Sequence, residues 1–315
     1  MVELFITGAS GFLGRSLVPY FASRSGYSVR AIYRSTQSTA KVVNCQNILV
    51  SDIVTDHFAE MLVGVDCVIH SAALAHVMNE SLDNAISAFR RVNVQGTLNV
   101  ANAAVEAGVR RFIYISSIKV LGEETFDAPF NADSVPAPCD PYGVSKFEAE
   151  EGLLDIALKT GMEVVIIRPP LMYGPGVKAN FLALMKCLRW HLPLPLKGIN
   201  NKRSLVSVDN LLDFISVCVE HPAAAGQAFL VSDGEDLSTP QLLSRLGRAM
   251  GKPAMLFTVP ESIIVAGANL LGRPAIARRL CGSLQVDIDK SRRLLGWTPP
   301  YNVDNSLSKV VRDFL

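Results

Sequence analysis

The chain has no surplus of charge of either sign: across 315 residues, 30 Lys and Arg face 29 Asp and Glu, a formal net charge of +1. A nucleic-acid partner would require a basic stripe to displace counterions from a phosphate backbone, so none is expected. Long apolar runs are also missing. The best candidate, Ile263 to Leu271, is broken by Gly267 and Asn269 and is far shorter than the ~20 residues of a bilayer crossing, so no transmembrane segment is expected. Its continuation through Arg273, Arg278 and Arg279 leaves two readings open: packing within a lobe of the protein, or an amphipathic surface helix that touches anionic lipid. Six cysteines (Cys45, Cys67, Cys139, Cys187, Cys218 and Cys281) occur without CxxC spacing or a histidine partner. They are read as reduced, mostly buried thiols, with neither a metal site nor a disulfide framework. His70 and His76 also lack partners at metal spacing and are read as structural or peripheral. The first apolar run is a strand with no basic leader ahead of it, so a cytoplasmic location is expected.

What is present is alternation. Short β-rich runs lie near 2–7, 27–33, 47–50, 66–70, 111–116 and 163–168, separated by helical patterns, two of them long, at 84–107 and 142–158. Such alternation predicts an α/β fold, a doubly wound parallel sheet with helices on both faces and ligand at the carboxyl ends of the strands. After Pro169 the pattern is interrupted by Pro175, Pro193 and Pro195. We read 1–168 as a dinucleotide-binding domain and 169–315 as a smaller α/β substrate lobe with a short return to the sheet near 204–232.

Three motifs carry chemistry. The first strand runs into Gly8-Ala-Ser10-Gly11-Phe12-Leu13-Gly14: Gly8 allows the bend, Gly11 lets backbone approach a pyrophosphate, and Gly14 permits close packing of a helix whose N-terminus favours an anion. Ser116 and Ser117 close the fifth strand. Tyr142 and Lys146, four apart on a helix, project from one face, so an ammonium is expected near a phenol to favour its ionised form. Bringing a phenol from ~10 to neutrality takes roughly 4 kcal/mol.

In this order and spacing the motifs resemble those of the extended short-chain dehydrogenase/reductases, which include nucleotide-sugar epimerases, dehydratases and ketoreductases. The resemblance continues through Asp52-Ile53, His70-Ser-Ala72-Ala73, Asn93, Arg168-Pro-Pro170, Tyr173-Gly-Pro-Gly176, Arg203 to Asp209 and Leu294 to Trp297. It implies a Rossmann fold and a catalytic set of Ser117, Tyr142 and Lys146. Cofactor contacts are implied at Gly8, Ser10, Gly11, Phe12, Leu13, Gly14, Asp52, Ile53, Ala72, Ala73, Asn93, Ser116, Tyr142, Lys146 and Pro169. Substrate contacts are implied at Ser117, Lys119, Asn180 and Arg203, with Leu171 where many epimerases have Asn. A homodimer through the helices near 84–107 and 142–158 follows from the resemblance alone.

Cofactor choice is written at the end of the second strand, where NAD enzymes place an acid. Here Tyr33 fills that place, Arg34 follows, and no carboxylate appears until Asp52. NADP(H) is therefore expected to be preferred over NAD(H). The arginine usually found in an Arg-Pro-Gly-Asp segment before the final helices is absent, with Arg278 or Arg279 as candidates to replace it. Within the family the chain most resembles bacterial 4-reductases that make a UDP-linked 6-deoxyhexosamine for surface polysaccharide. The expected function is reduction of a UDP-4-keto-6-deoxy sugar. The alternatives are a UDP-sugar 4-epimerase with tightly bound NAD and a reductase of an apolar ketone.

Overall fold

The computed structural model describes residues 1–36, 42–75 and 82–315; His76 lies outside the described residues. In chain order the strands are β1 (Val2–Thr7), β2 (Tyr27–Tyr33), β3 (Cys45–Leu49), β4 (Cys67–His70), β5 (Arg111–Ile115), β6 (Glu163–Arg168), β7 (Leu171–Tyr173), β8 (Arg203–Ser207), β9 (Ala228–Leu230) and β10 (Asp236–Leu237). Seven form one sheet in the order β3-β2-β1-β4-β5-β6-β9, and every pairing is parallel. This is the doubly wound Rossmann order, in which the chain leaves β1 first to one side and then to the other. β4 and β5 are buried along their whole length, because helices cover both faces of a parallel sheet.

Alternation along the strands builds two cores. Leu4, Ile6, Val29, Ile113 and Val165 face the helices Gly14–Ala22 and Val208–Glu220. Phe5, Val68, Phe112 and Val164 face the helices Gly96–Glu106 and Pro141–Thr160. A third core, with Tyr173, Phe181, Leu205, Leu243 and Leu307, belongs to the second lobe. There β8 pairs in parallel with β7 and antiparallel with β10.

One feature differs from the expectation. The single helix read over 84–107 is three pieces, Leu82–Phe89, a π-helical Arg90–Gln95 and Gly96–Glu106. The wider turn sets Asn93 inward, fully buried; such turns recur at functional sites. The return to the large sheet is made by Val208–Glu220 and β9, while Arg203–Ser207 stays in the small sheet. Leu295 and Trp297 also pack on the large sheet. Among the described residues no helix is long and apolar enough to cross a membrane.

Candidate active site

Because the strands are parallel, their carboxyl ends share one edge. Crossing it in sheet order, the residues just beyond the strand ends are Asp52, Arg34, Gly8, Ala72 with Ala73, Ser116 with Ser117, and Pro169. At ~4.8 Å between neighbouring strands this row is roughly 24 Å long, which suits an extended dinucleotide.

The glycine turn is closed by backbone. Gly8 has φ +71°, and a Cβ there would stand 2.6 Å from the Ala72 nitrogen; at Gly14 it would stand 2.0 Å from the Gly8 oxygen. The Gly11 N–H donates to the Gly8 carbonyl at 2.9 Å, and the Ser10 carbonyl accepts from Arg15 Nε at 3.0 Å. The following helix, Gly14–Ala22, has Leu13 at its N-cap, with no side-chain cap and no acid in its first turn. Its N-terminus is thus left to an anion, and the cradle fits a pyrophosphate. Phe12 packs against the cores of both lobes.

Pro141–Thr160 is a well-ended helix. Its N-cap Asp140 accepts from Gly143 N–H, Pro141 takes the first turn, and Gly161 closes it at φ 79°. Tyr142 stands in this first turn, half-buried and edge-on to Phe89. Burial, and after it the Asp140 charge, push its phenol up to about 12. The expected stabilisation of phenolate by Lys146 is not the observed arrangement. Lys146 is buried, donates to the Ile115 carbonyl at 2.7 Å, and lies 4.1 Å over the Tyr114 ring. Burial brings its ammonium down to about 7, partly opposed by Glu150. The lysine thus caps the end of β5 and does not shift the phenol. Ser117, half-buried in extended backbone, accepts from the Lys119 N–H at 3.2 Å.

Beneath these residues lies a buried polar frame that motif reading did not pick out. Ser116 donates to Glu150, and Glu150 holds Arg168 in a two-pronged ion pair, 2.6 Å at its shortest. Glu150 follows Lys146 by four residues, as Lys146 follows Tyr142, so helical spacing was the signal available. On the other side of the helix, Ala72 N–H donates to Thr7 Oγ1, Thr7 meets His70 Nδ1 at 3.0 Å, His70 Nε2 meets Thr97 Oγ1 at 3.0 Å, and Thr97 donates to the Asn93 carbonyl. Since the Thr97 hydroxyl proton is used on Asn93, His70 donates through Nε2 and accepts at Nδ1, a tautomer assigned from the network. Burial holds this imidazole neutral, down to about 3, with Lys146 adding to the effect. Asn93 then donates to Ser145 Oγ, and Ser145 to the Tyr142 carbonyl. His70 is therefore structural, as expected. Asn93 also brackets Leu74 through its N–H and its carbonyl.

At the far end of the row, Arg34 is exposed. Asp52 is ion-paired with Arg91; a hydrogen bond from the Val54 N–H, then that pair, hold its carboxyl low, and Arg34 adds to the effect. Ile53 packs into the space that a side chain at Gly96 would fill. The buried Pro169 carbonyl accepts from the Ile118 N–H at 3.0 Å.

On the substrate side, Lys119 is held by Asp140 and Glu123. Here its charge is matched by two carboxylates, whereas the expectation has this cation reaching for substrate. Arg278 is likewise tied to Glu123 and Glu124. Arg203 is half-buried and donates to the Gly282 carbonyl at 2.8 Å. Desolvation lowers its pKa, Glu124 opposes that, and Arg279 adds to the lowering, so two guanidinium groups are neighbours here. Leu171 is exposed and Asn180 opens the helix Ala179–Arg189, also exposed. Cys139 is exposed, an exception to the expected burial of the thiols.

A parallel sheet with a glycine cradle at its switch point, and a Tyr-Lys helix beside a Ser-closed strand, define a nucleotide-dependent enzyme of the extended short-chain dehydrogenase/reductase class. The chain belongs to the NAD dependent epimerase/dehydratase family, which it matches over residues 4–232. It is 42% identical to a UDP-glucose 4-epimerase of Vibrio cholerae, over 99% of this chain and 95% of that protein. It is 28% identical to a GDP-6-deoxy-D-mannose reductase of Pseudomonas aeruginosa, over 99% and 97%. A UDP-glucuronic acid 4-epimerase of Bacillus cereus, solved with NAD, has the same fold with a TM-score of 0.80 at 21% identity, covering 99% of this chain and 96% of that one.

Proposed function

We propose that the protein oxidises and re-reduces C4 of a UDP-linked sugar, with epimerisation at C4 as its net reaction. The observation that carries this is the near end-to-end match to a UDP-glucose 4-epimerase. The expectation of a net reductase becomes the second reading. It is kept on one specific observation: Arg34, with no acid at the end of β2, suits a 2′-phosphate better than a free ribose hydroxyl.

The nicotinamide, NAD(H) in the first reading and NADP(H) in the second, supplies the hydride acceptor and donor. The row from Gly8 to Pro169 would hold it, with Lys146 at the nicotinamide end. Tyr142 exchanges the C4 hydroxyl proton and Ser117 holds that oxygen. With its phenol at about 12, Tyr142 is the protonated, donating form. To act as base it needs the Lys146 ammonium turned from the Ile115 carbonyl towards it. Arg203, with Arg279, faces the diphosphate, and Asn180 the nucleotide. We place the substrate lobe at 169–315, excepting the return through Val208–Glu220 and β9, and the enzyme in the cytoplasm as a homodimer.

The test is one pair of assays on purified protein. Interconversion of UDP-N-acetylglucosamine or UDP-glucose with its C4 epimer, without added cofactor, is the expected result. Stoichiometric NADPH oxidation by a UDP-4-keto-6-deoxyhexosamine, with no epimerisation, would replace the first reading by the second.

A further inference from the structure

The helix Glu261–Leu270 buries none of its side chains fully. Ile263 is exposed, Leu270 is 90% exposed, and Leu271 just after it is 75% exposed. Ile264 packs against the second-lobe core, and the apolar side chains at Ile263, Leu270 and Leu271 lie outside that packing. The chain leading into it shows the same pattern. Leu194 N–H donates to the Met255 carbonyl and Phe257 N–H to the Leu194 carbonyl, which joins the stretch after Ala179–Arg189 to the one before Glu261. Alternation turns Leu194 and Leu256 towards the second-lobe core and leaves Met255 and Phe257 in solvent. Leu192 is exposed beside them, and Trp190 is 74% exposed. Large exposed apolar side chains on these segments of one lobe mark a surface that something covers.

Charge identifies what covers it. Residues 186–202 and 250–281 together contain eight Lys and Arg and a single acid, Glu261, in a chain whose net charge is +1; with Arg278 paired to Glu123 and Arg279 assigned to the substrate side, six of these cations remain for the outer face. The remainder of the molecule is therefore net acidic, and the cations are concentrated where the apolar side chains are exposed. An occupant must be both apolar and anionic. A second copy of this face would meet like charge with like, whereas an acidic protein segment would leave the leucines and the tryptophan without apolar partners. We propose that this lobe docks on the surface of an anionic membrane, with Leu270, Leu271, Phe257 and Trp190 entering the headgroup boundary and Lys197, Arg273 and their neighbours meeting lipid phosphates. A helix of ten residues lies in the interface and does not cross it. The attachment is peripheral and independent of the reaction catalysed.

Flotation of the full-length protein with vesicles tests this. Vesicles of phosphatidylcholine with phosphatidylglycerol are expected to carry the protein, phosphatidylcholine vesicles are not, and added salt is expected to release it. Leu270→Asp with Leu271→Asp changes only exposed positions, so the melting curve should be retained while recovery on anionic vesicles falls tenfold or more. Lys197→Ala and Arg273→Ala should each weaken binding roughly fivefold. No recovery on anionic vesicles overturns the proposal, as does equal recovery on both kinds. It is also overturned if Leu270→Asp with Leu271→Asp dissociates a larger assembly in sedimentation while vesicle recovery is unchanged, since a second copy then covers the face.

Discussion

Burial acts on Tyr142 and Lys146 in the same physical sense, by disfavouring charge, yet with opposite effects on their pKa values. The phenol moves up to about 12 and the ammonium down to about 7. Near neutral pH the phenol keeps its proton while the lysine is poised between two states. Tyr142→Phe is expected to lower turnover by about 10² or more while leaving nucleotide affinity nearly unchanged; turnover numbers beside nucleotide titrations check this. For Lys146 the effect is also one of stability. Its folded pKa lies below the unfolded value of ~10.4, so between about 7 and ~10.4 the unfolded chain binds a proton that the folded chain has released, and stability rises with pH through that window. Below about 7 the cost of burying the ammonium is fully present. Lys146→Met should therefore gain most over the parent below about pH 7 and least near pH ~10, measured by denaturant unfolding across that range.

Elements are held in place here by polar chains that cross between them. Thr7 at the end of β1, His70 at the end of β4, Thr97 and Asn93 around the π-helical turn, and Ser145 on the helix that carries Tyr142 form one buried series. It sets the Tyr142 turn relative to the glycine cradle. His70 is held neutral, with a folded pKa of about 3 against an ordinary value of 6.5. The stability it contributes is complete above about 6.5 and is lost as pH falls towards 3, because the unfolded chain takes up a proton that the folded chain refuses. The parent should lose up to ~1.4 kcal/mol more per pH unit in that window than His70→Gln, which paired unfolding curves would reveal. On the other side of the helix, Glu150 serves Ser116 and Arg168 at once. Breaking such a buried pair from one side typically costs about 3–5 kcal/mol.

At the scale of the whole molecule, the two long helices proposed as the dimer interface already share an ion pair, Arg90 with Glu148 at 2.5 Å, within one chain. Further along the helix Pro141–Thr160, Leu154 and Leu158 remain exposed, Leu158 at 87%. If a partner covers them, Leu158→Glu should convert a dimer to a monomer in sedimentation velocity without altering the fold, and its association should be independent of the apolar face around Leu270. The acidic remainder of the surface and the basic second lobe make the molecule electrically lopsided despite its near-zero total. Summed composition concealed this, because charges cancel in a count but not in space.

Much was legible without coordinates. The periodicity of the strands, the three glycines, Ser117, Tyr142 and Lys146 depend on local geometry and short spacing, so the parallel sheet, the carboxyl-end cradle and the helix that carries Tyr142 and Lys146 follow from them directly. What depends on distant partners was not legible. Nothing near Lys146 in the chain announces the Ile115 carbonyl or the Tyr114 ring, nothing near Lys119 announces the pairing with Asp140, and nothing near Arg168 announces Glu150. The π-helical turn at Arg90–Gln95 leaves the apolar pattern nearly that of a continuous helix, so only the packing of Asn93 and Thr97 against His70 reveals it. The sequence by itself determined the parallel sheet and the residues at its active edge, because periodicity and turn chemistry are local. The tertiary structure alone decided which charges are spent on one another and which apolar face stays uncovered, because both depend on contacts between segments far apart in the chain.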